Sequence, residues 1–394
     1  MITTSMPLPI HARTRIVACV DTGVDDAMAL AYLLASPDEC ELVGVLAGYG
    51  NVDAATAERN TRIVLDLFGR PDIPVFRSSE HPSWADAFIP DAGCAQFHGP
   101  DGLGGTVGGA ESDGASRVTP VPGGVVVSVG GYRTNDSHAN PAGGWSADRD
   151  HPQSAVPTAP ASGGGNAYEE RDGVGFLIDE VRAYGRDVTV LATGPLTDVD
   201  AAITRAPDIA RTLRLVMMGG SLTQPGNCWD AVAETNVIQD PEAADRVFHS
   251  GADVTMIGLD VTHRCLLPRS AADIWRATGT GRGRFLARLA EFSIAANLEA
   301  DSTIFAGGMP LHDPLAAAVA LDPTLVSTFD VALCAETSTG DFTGVRGRTT
   351  GDPAGLVNPG APRVHVALDV DAARFVNRFT DRLAMLCAAR PSLR

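Results

Sequence analysis

No stretch of this 394-residue chain approaches the roughly 20 consecutive apolar residues of a membrane-spanning helix. The opening MITTSMPLPIHARTR lacks both an apolar core of signal-peptide length and a cleavage signature, so a soluble protein is expected. Basic residues are scarce: 30 Lys and Arg stand against 48 Asp and Glu, a formal net charge of −18 at pH 7. That balance argues against nucleic acid as a partner, because neutralising a phosphate backbone needs clustered cations. Cysteine is sparse and scattered, at 19, 40, 94, 228, 265, 334 and 387, with no CxxC spacing. An odd, dispersed set speaks against both a zinc site and a disulfide framework, and favours a reducing compartment, hence the cytoplasm.

What the chain does have is enough apolar residue, 44%, to bury a large core as one big α/β domain or two smaller ones. Strand-like runs recur, each followed by a helical pattern: RIVACV at 15–20, ELVGVLAG at 41–48, DVTVLATG at 187–194, RLVMMGG at 214–220 and DVTMIGLD at 253–260. This alternation predicts βα units around a mostly parallel, Rossmann-like open sheet with helices on both faces. Residues 105–166 interrupt the rhythm. Rich in Gly, Pro, Ser and Ala, they read as a long surface insertion within a single domain spanning 14–390. A second Gly/Pro-rich stretch, 338–362, reads as a loop before a last strand, RVHVALDV, and a terminal helix.

The segment VDTGVDDAMAL, residues 20–30, sets Asp21, Asp25 and Asp26 around one glycine directly after the first strand. DTG alone would suit an aspartic protease, but the following Met28, Leu30, Leu33 and Leu34 continue as a helix rather than a hairpin. One Asp here could simply cap that helix. Three within six residues repel one another, and a hard cation is the usual remedy. Other strand ends add to the set: Asn51 after the second, Thr193 in ATGPLT after VTVLA, and Asn227, Glu234 and Asn236 after LVMMGG. His312 and Asp313 open the apolar helix HDPLAAAVAL. In a parallel sheet all of these converge on the carboxyl edge, where ligands bind.

With those blocks in order, the chain resembles the nucleoside hydrolase family, the inosine-uridine-preferring N-ribohydrolases. CVDTGVDD at 19–26 is similar to that family's opening motif, and the resemblance continues through Gly50–Asn51, ATGPLT at 192–197, MGG at 218–220, AETNVIQDPEAA at 233–244, GLDVTH at 258–263 and HDP at 312–314. It covers about residues 14–104 and 170–390. The resemblance implies the nucleoside hydrolase fold and one calcium ion held by Asp21, Asp26, the Thr193 carbonyl and Asp313, a donor set of hard oxygens suited to Ca²⁺. It implies ribose contacts from Asp25, Asn51, Glu234, Asn236 and Asn227. His98, in FHGPDGLGG, would reach the base or the 5′ side of the sugar. Asp21 would accept a proton from the attacking water, and His312 would protonate the departing base. His263 is expected to pack or to bind groups behind the site, and Trp229 to stack on a base or to fill the core.

Departures from the family pattern also matter. Cys19 and Thr22 replace its first Asp and its Pro, and Thr235 replaces the usual aromatic between Glu234 and Asn236. No tyrosine follows Tyr184, so tyrosine-assisted protonation of the base has no candidate and purine or mixed specificity is expected, in nucleoside catabolism and purine salvage. The family also implies a homodimer or homotetramer. Two other readings stand beside it. A phosphoryl-transfer enzyme would want a Lys and a Ser or Thr for phosphate, whereas acids and amides suit a neutral polyol. A non-catalytic ribose- or nucleoside-binding protein derived from a hydrolase is motivated by Cys19 and the insertion.

Overall fold

The computed structural model describes residues 13–90, 92–106, 172–228, 232–339 and 345–389. Strands and helices alternate along the first half: β1 (Thr14–Val20), α1 (Val24–Leu34), β2 (Cys40–Ala47), α2 (Ala54–Leu67), β3 (Val75–Arg77), α3 (Ala92–His98), α4 (Gly173–Tyr184), β4 (Val188–Ala192) and α5 (Thr197–Arg205). There follow β5 (Arg214–Met218), α6 (Thr235–Gln239), α7 (Pro241–Phe248), β6 (Asp253–Ile257), α8 (Leu259–Thr262), β7 (Leu266–Leu267), α9 (Arg269–Ala277) and α10 (Gly281–Ala300). The chain closes with β8 (Met309–Pro310), α11 (His312–Leu321), β9 (Val326–Ala335), β10 (Thr349–Asp352), β11 (Val364–Val370) and α12 (Ala372–Ala388).

Nine strands form one sheet in the order β10-β9-β11-β6-β5-β4-β1-β2-β3. From β3 to β11 every pairing is parallel, and β9 and β10 add an antiparallel edge. The strand order reverses direction between β1 and β4, both running the same way side by side. Beyond the carboxyl ends of such a pair a crevice opens, and that is where open α/β sheets place ligands.

Alternation along β1 shows why the sheet carries helices on both faces. Ile16, Ala18 and Val20 pack into one buried cluster with Met28 and Leu315, while Val17 and Cys19 pack into the other with Leu177 and Val199. The described residues all belong to one compact unit. Two helices are buried almost all round: α1 from Val24 to Leu33, and α11 from Asp313 to Ala320. They pack against each other, as sequences with no polar stripe must. Their polar residues are confined to the first turn, which brings acidic residues together at one end of the pair.

The expectation of a plain loop over 338–362 is corrected, because β10 lies inside it and pairs antiparallel with β9. Of the 105–166 insertion, all but Gly105 and Thr106 lies outside the described residues, as does Trp229. Among the described residues no disulfide is formed. Among the described residues no helix is long and apolar enough to cross a membrane.

Candidate active site

Asp21 follows β1 directly and is almost fully buried. Its Oδ2 accepts the Asn51 backbone N–H at 2.7 Å and its Oδ1 accepts Asn51 Nδ2 at 3.2 Å. Gly50 makes this possible: at φ +157°, a Cβ there would run into the Asp21 carboxylate. Asp26, fully buried, caps α1 by accepting the Gly23 N–H at 2.9 Å. It also accepts Asn51 Nδ2 at 3.2 Å and the Thr193 hydroxyl at 2.7 Å. One amide, Asn51, therefore ties Asp21 to Asp26, and Thr193 ties Asp26 to the end of β4.

Asp25, Asp26 and Asp313 come together from the first turns of α1 and α11, with carboxylate oxygens within 4.8 Å of one another. Two helix N-termini favour negative charge there, by about 0.3–1 kcal/mol each. Removing a carboxylate from water costs several kcal/mol, so desolvation wins by a wide margin. The ionisation behaviour follows. Burial, then the neighbouring carboxylates, pushes Asp21 and Asp313 well above the usual carboxylate range, and Asp26 is also raised. Asp25 is pushed up to about 6 by burial, against hydrogen bonds that include one with Asp313. Two carboxyl groups share such a bond only while one keeps its proton.

Among the described residues no arginine pairs with this cluster, and the chain has no lysine. The cluster itself fits a hard dication: three buried carboxylates spaced so that one ion at about 2.4 Å could reach each. Asp25 Oδ1 is buried with no hydrogen-bond partner among the described residues, an acceptor free for a sugar hydroxyl at the edge of the cluster. Asp21 lies outside this closest group, its oxygens turned to Asn51. The Thr193 carbonyl accepts Asn236 Nδ2 at 2.7 Å and keeps a second lone pair.

The remaining expected residues divide. Asn236 is buried and also donates to the Met218 carbonyl at 3.2 Å, joining the ends of β4 and β5. Glu234 caps α6, accepting the N–H groups of Asn236, Val237 and Gly220 at 3.0, 3.1 and 2.8 Å. Burial nevertheless pushes it up to about 7. Asn227 is exposed, and its Oδ1 accepts the N–H and hydroxyl of Thr235 at 3.0 and 3.1 Å. The structure thus gives Asn227 a capping role, which uses the very threonine that departs from the family pattern.

His98 Nδ1 accepts the Val24 N–H at 3.1 Å and lies 3.6 Å from Asp25 Oδ1. Burial lowers its pKa to about 4, so it is a neutral imidazole whose proton sits on Nε2. His312 Nδ1 lies 2.8 Å from the Thr262 hydroxyl, and its ring is 5.6 Å from that of His263. Burial, and then His263 and His98, holds His312 well below the ordinary histidine range. Sequence reading missed Thr262; its signal was its place beside His263 in GLDVTH. It also missed Gly23, which stands so close to the site that a Cβ would run into His98 Nδ1 and come within 2.8 Å of Asn51 Nδ2. Gly23→Ala is expected to lose about 1–3 kcal/mol in denaturant unfolding by overpacking. A Gly23→Ala protein as stable as the wild type would refute that packing.

The chain matches the sequence model of the inosine-uridine preferring nucleoside hydrolases over residues 16–377. It is 32% identical over 365 residues to the pyrimidine-specific ribonucleoside hydrolase RihA of Klebsiella pneumoniae, covering 92% of this chain and 96% of that one. Among solved structures it is similar to a purine-preferring ribonucleoside hydrolase from Gardnerella vaginalis, at 35% identity and TM-score 0.74, covering 95% and 99% of the two chains. A plant nucleoside hydrolase superposes with TM-score 0.72 at 25% identity, covering 95% of this chain and 99% of that one.

Proposed function

Because the chain belongs to the inosine-uridine preferring nucleoside hydrolases, which cleave the N-glycosyl bond of nucleosides, we propose that it is a calcium-dependent ribohydrolase of purine or mixed base specificity. The observation that carries the reading is the buried cluster of Asp25, Asp26 and Asp313 beside Asp21, at the point where the strand order reverses. Asp21, Asp26, Asp313 and the Thr193 carbonyl would hold the ion. When bound, calcium offsets the clustered charge, engages sugar hydroxyls and makes a neighbouring water more acidic.

The chain's own residues do the rest. Asp25, Asn51 and Asn236, with Glu234 fixing the turn that presents Asn236, orient the ribose. Asn227 would reach it only by giving up its bond to Thr235. Breaking the C1′–N bond sends its electron pair into the base and leaves positive charge on the sugar, which the carboxylates beneath stabilise. Asp21 takes a proton from the water that adds to C1′. His312 gives one to the departing base; its depressed pKa makes the imidazolium a strong acid when it forms. His98, held neutral, offers Nε2–H to the base or to the 5′ side of the sugar.

Relatives named for pyrimidines and for purines both resemble this chain, which supports mixed specificity, and the lack of any tyrosine after Tyr184 supports the purine side. The proposed setting is cytoplasmic nucleoside catabolism and purine salvage by a homo-oligomer. Incubation with inosine, uridine and cytidine, followed by assay of free ribose, tests the reading. Ribose is expected from inosine at least. No ribose from any of the three, by folded and calcium-loaded protein, would leave a nucleoside-binding protein as the better account.

A further inference from the structure

Among the described residues, His263 Nε2 is buried without a hydrogen-bond partner, and nothing in the proposed reaction uses it. Buried polar atoms in native folds are nearly always paired, so an orphan calls for a partner that arrives later. Its position says which one. His263 follows Thr262, whose hydroxyl lies 2.8 Å from His312 Nδ1, so two consecutive residues at the end of α8 flank the same imidazole. The rings of His263 and His312 are 5.6 Å apart at 60°. Phe305, from the loop between α10 and β8, meets His263 edge to face at 5.5 Å and 87°.

Resting on the hydrolase reading, we propose that His263 is a specificity-determining residue, its Nε2–H donating to the 6-oxo group of a purine while the adjacent His312 serves N7. The chemistry matches in number and sign. A 6-oxopurine carries two acceptors side by side on one edge, N7 and O6, whereas adenine offers N7 beside an amino donor. As the imidazolium that protonates the base, His312 donates Nδ1–H to the Thr262 hydroxyl and keeps its transferable proton on Nε2. Two neighbouring imidazole N–H groups then face two neighbouring acceptors. A 6-amino group opposes one donor with another, and a purine with nothing at position 6 leaves His263 unpaired.

The test compares kcat/KM for inosine, adenosine and purine riboside in the wild type, His263→Phe and His263→Gln. The wild type is expected to favour inosine over each of the others by about tenfold, the usual worth of one hydrogen bond. His263→Phe should lose that preference, mainly by losing inosine turnover, and His263→Gln, which keeps an N–H, should retain it. A His263→Phe protein that depresses all three substrates alike has lost packing, which would overturn the proposal. Should His263→Phe fail to fold, product inhibition of the wild type decides: hypoxanthine is expected to inhibit about tenfold better than purine, and equal inhibition overturns the assignment. Ribose release from pyrimidine nucleosides only would overturn the 6-oxo contact while leaving the hydrolase intact. Release from no nucleoside at all would remove the hydrolase reading itself, a different result from an altered ratio.

Discussion

Asp21→Asn is expected to lower kcat/KM for inosine by about 10²–10⁴, the range typical of losing a general base. The substitution preserves size and removes the ability to accept a proton. Stability should move the other way. Asp21 is a buried carboxylate whose charged form is penalised by burial and by Asp26, so a neutral amide relieves repulsion in the metal-free protein. Against this stands one mismatch: an amide can accept the Asn51 N–H through oxygen, but its own NH₂ then faces Asn51 Nδ2, donor to donor. In chelator at pH 7.5 the melting temperature is expected to equal or exceed that of the wild type while activity collapses. A variant keeping more than about a tenth of wild-type kcat/KM would remove Asp21 from the chemistry, since loss of a general base costs at least about 10².

Metal-free protein is expected to lose stability as pH rises from about 4 to 7, opposite to the usual behaviour of paired carboxylates. The folded-state pKa of Asp25 is raised from 3.8 to about 6. Its contribution is therefore fully present below pH 4 and is lost as pH rises through 6, when the unfolded chain has already ionised. A shift of about two units corresponds to roughly 3 kcal/mol. Glu234, raised from 4.5 to about 7, extends the decline in the same direction. Asp21, Asp26 and Asp313 are raised as well and add to it. Calcium should flatten the curve above pH 6, because an ion that binds only the folded state stabilises it by mass action, by about 2.7 kcal/mol at a hundredfold excess over Kd. Thermal melts at pH 4.5, 6.0 and 7.5, with chelator and with calcium, give the comparison. Identical curves at pH 7.5 would mean that the cluster does not depend on a cation.

The parallel core of the sheet was legible because β1, β2, β4, β5 and β6 are buried apolar runs, each followed by a helix. The edges were not. β10, TTGD, contains no apolar residue, β3 is three residues long, and β9 is exposed over much of its first half. Strands at the margin of a sheet carry little hydrophobic signal, and only their partners define them. The acidic site was legible for a related reason: its residues sit just past the ends of strands whose apolar runs announce them. Which carboxylates meet could not be read. That Asp25 and Asp26 join Asp313, while Asp21 turns to Asn51, depends on α1 and α11 packing against each other. The same holds for His98, whose neutral tautomer is set by the Val24 N–H at the start of α1, 74 residues away.

The most direct test of the whole account is ribose release from inosine by protein stripped with chelator, dialysed, and then titrated with calcium. Negligible release is expected from the stripped protein, with recovery that saturates near one calcium per chain. Undiminished release from protein shown to be free of metal would contradict it.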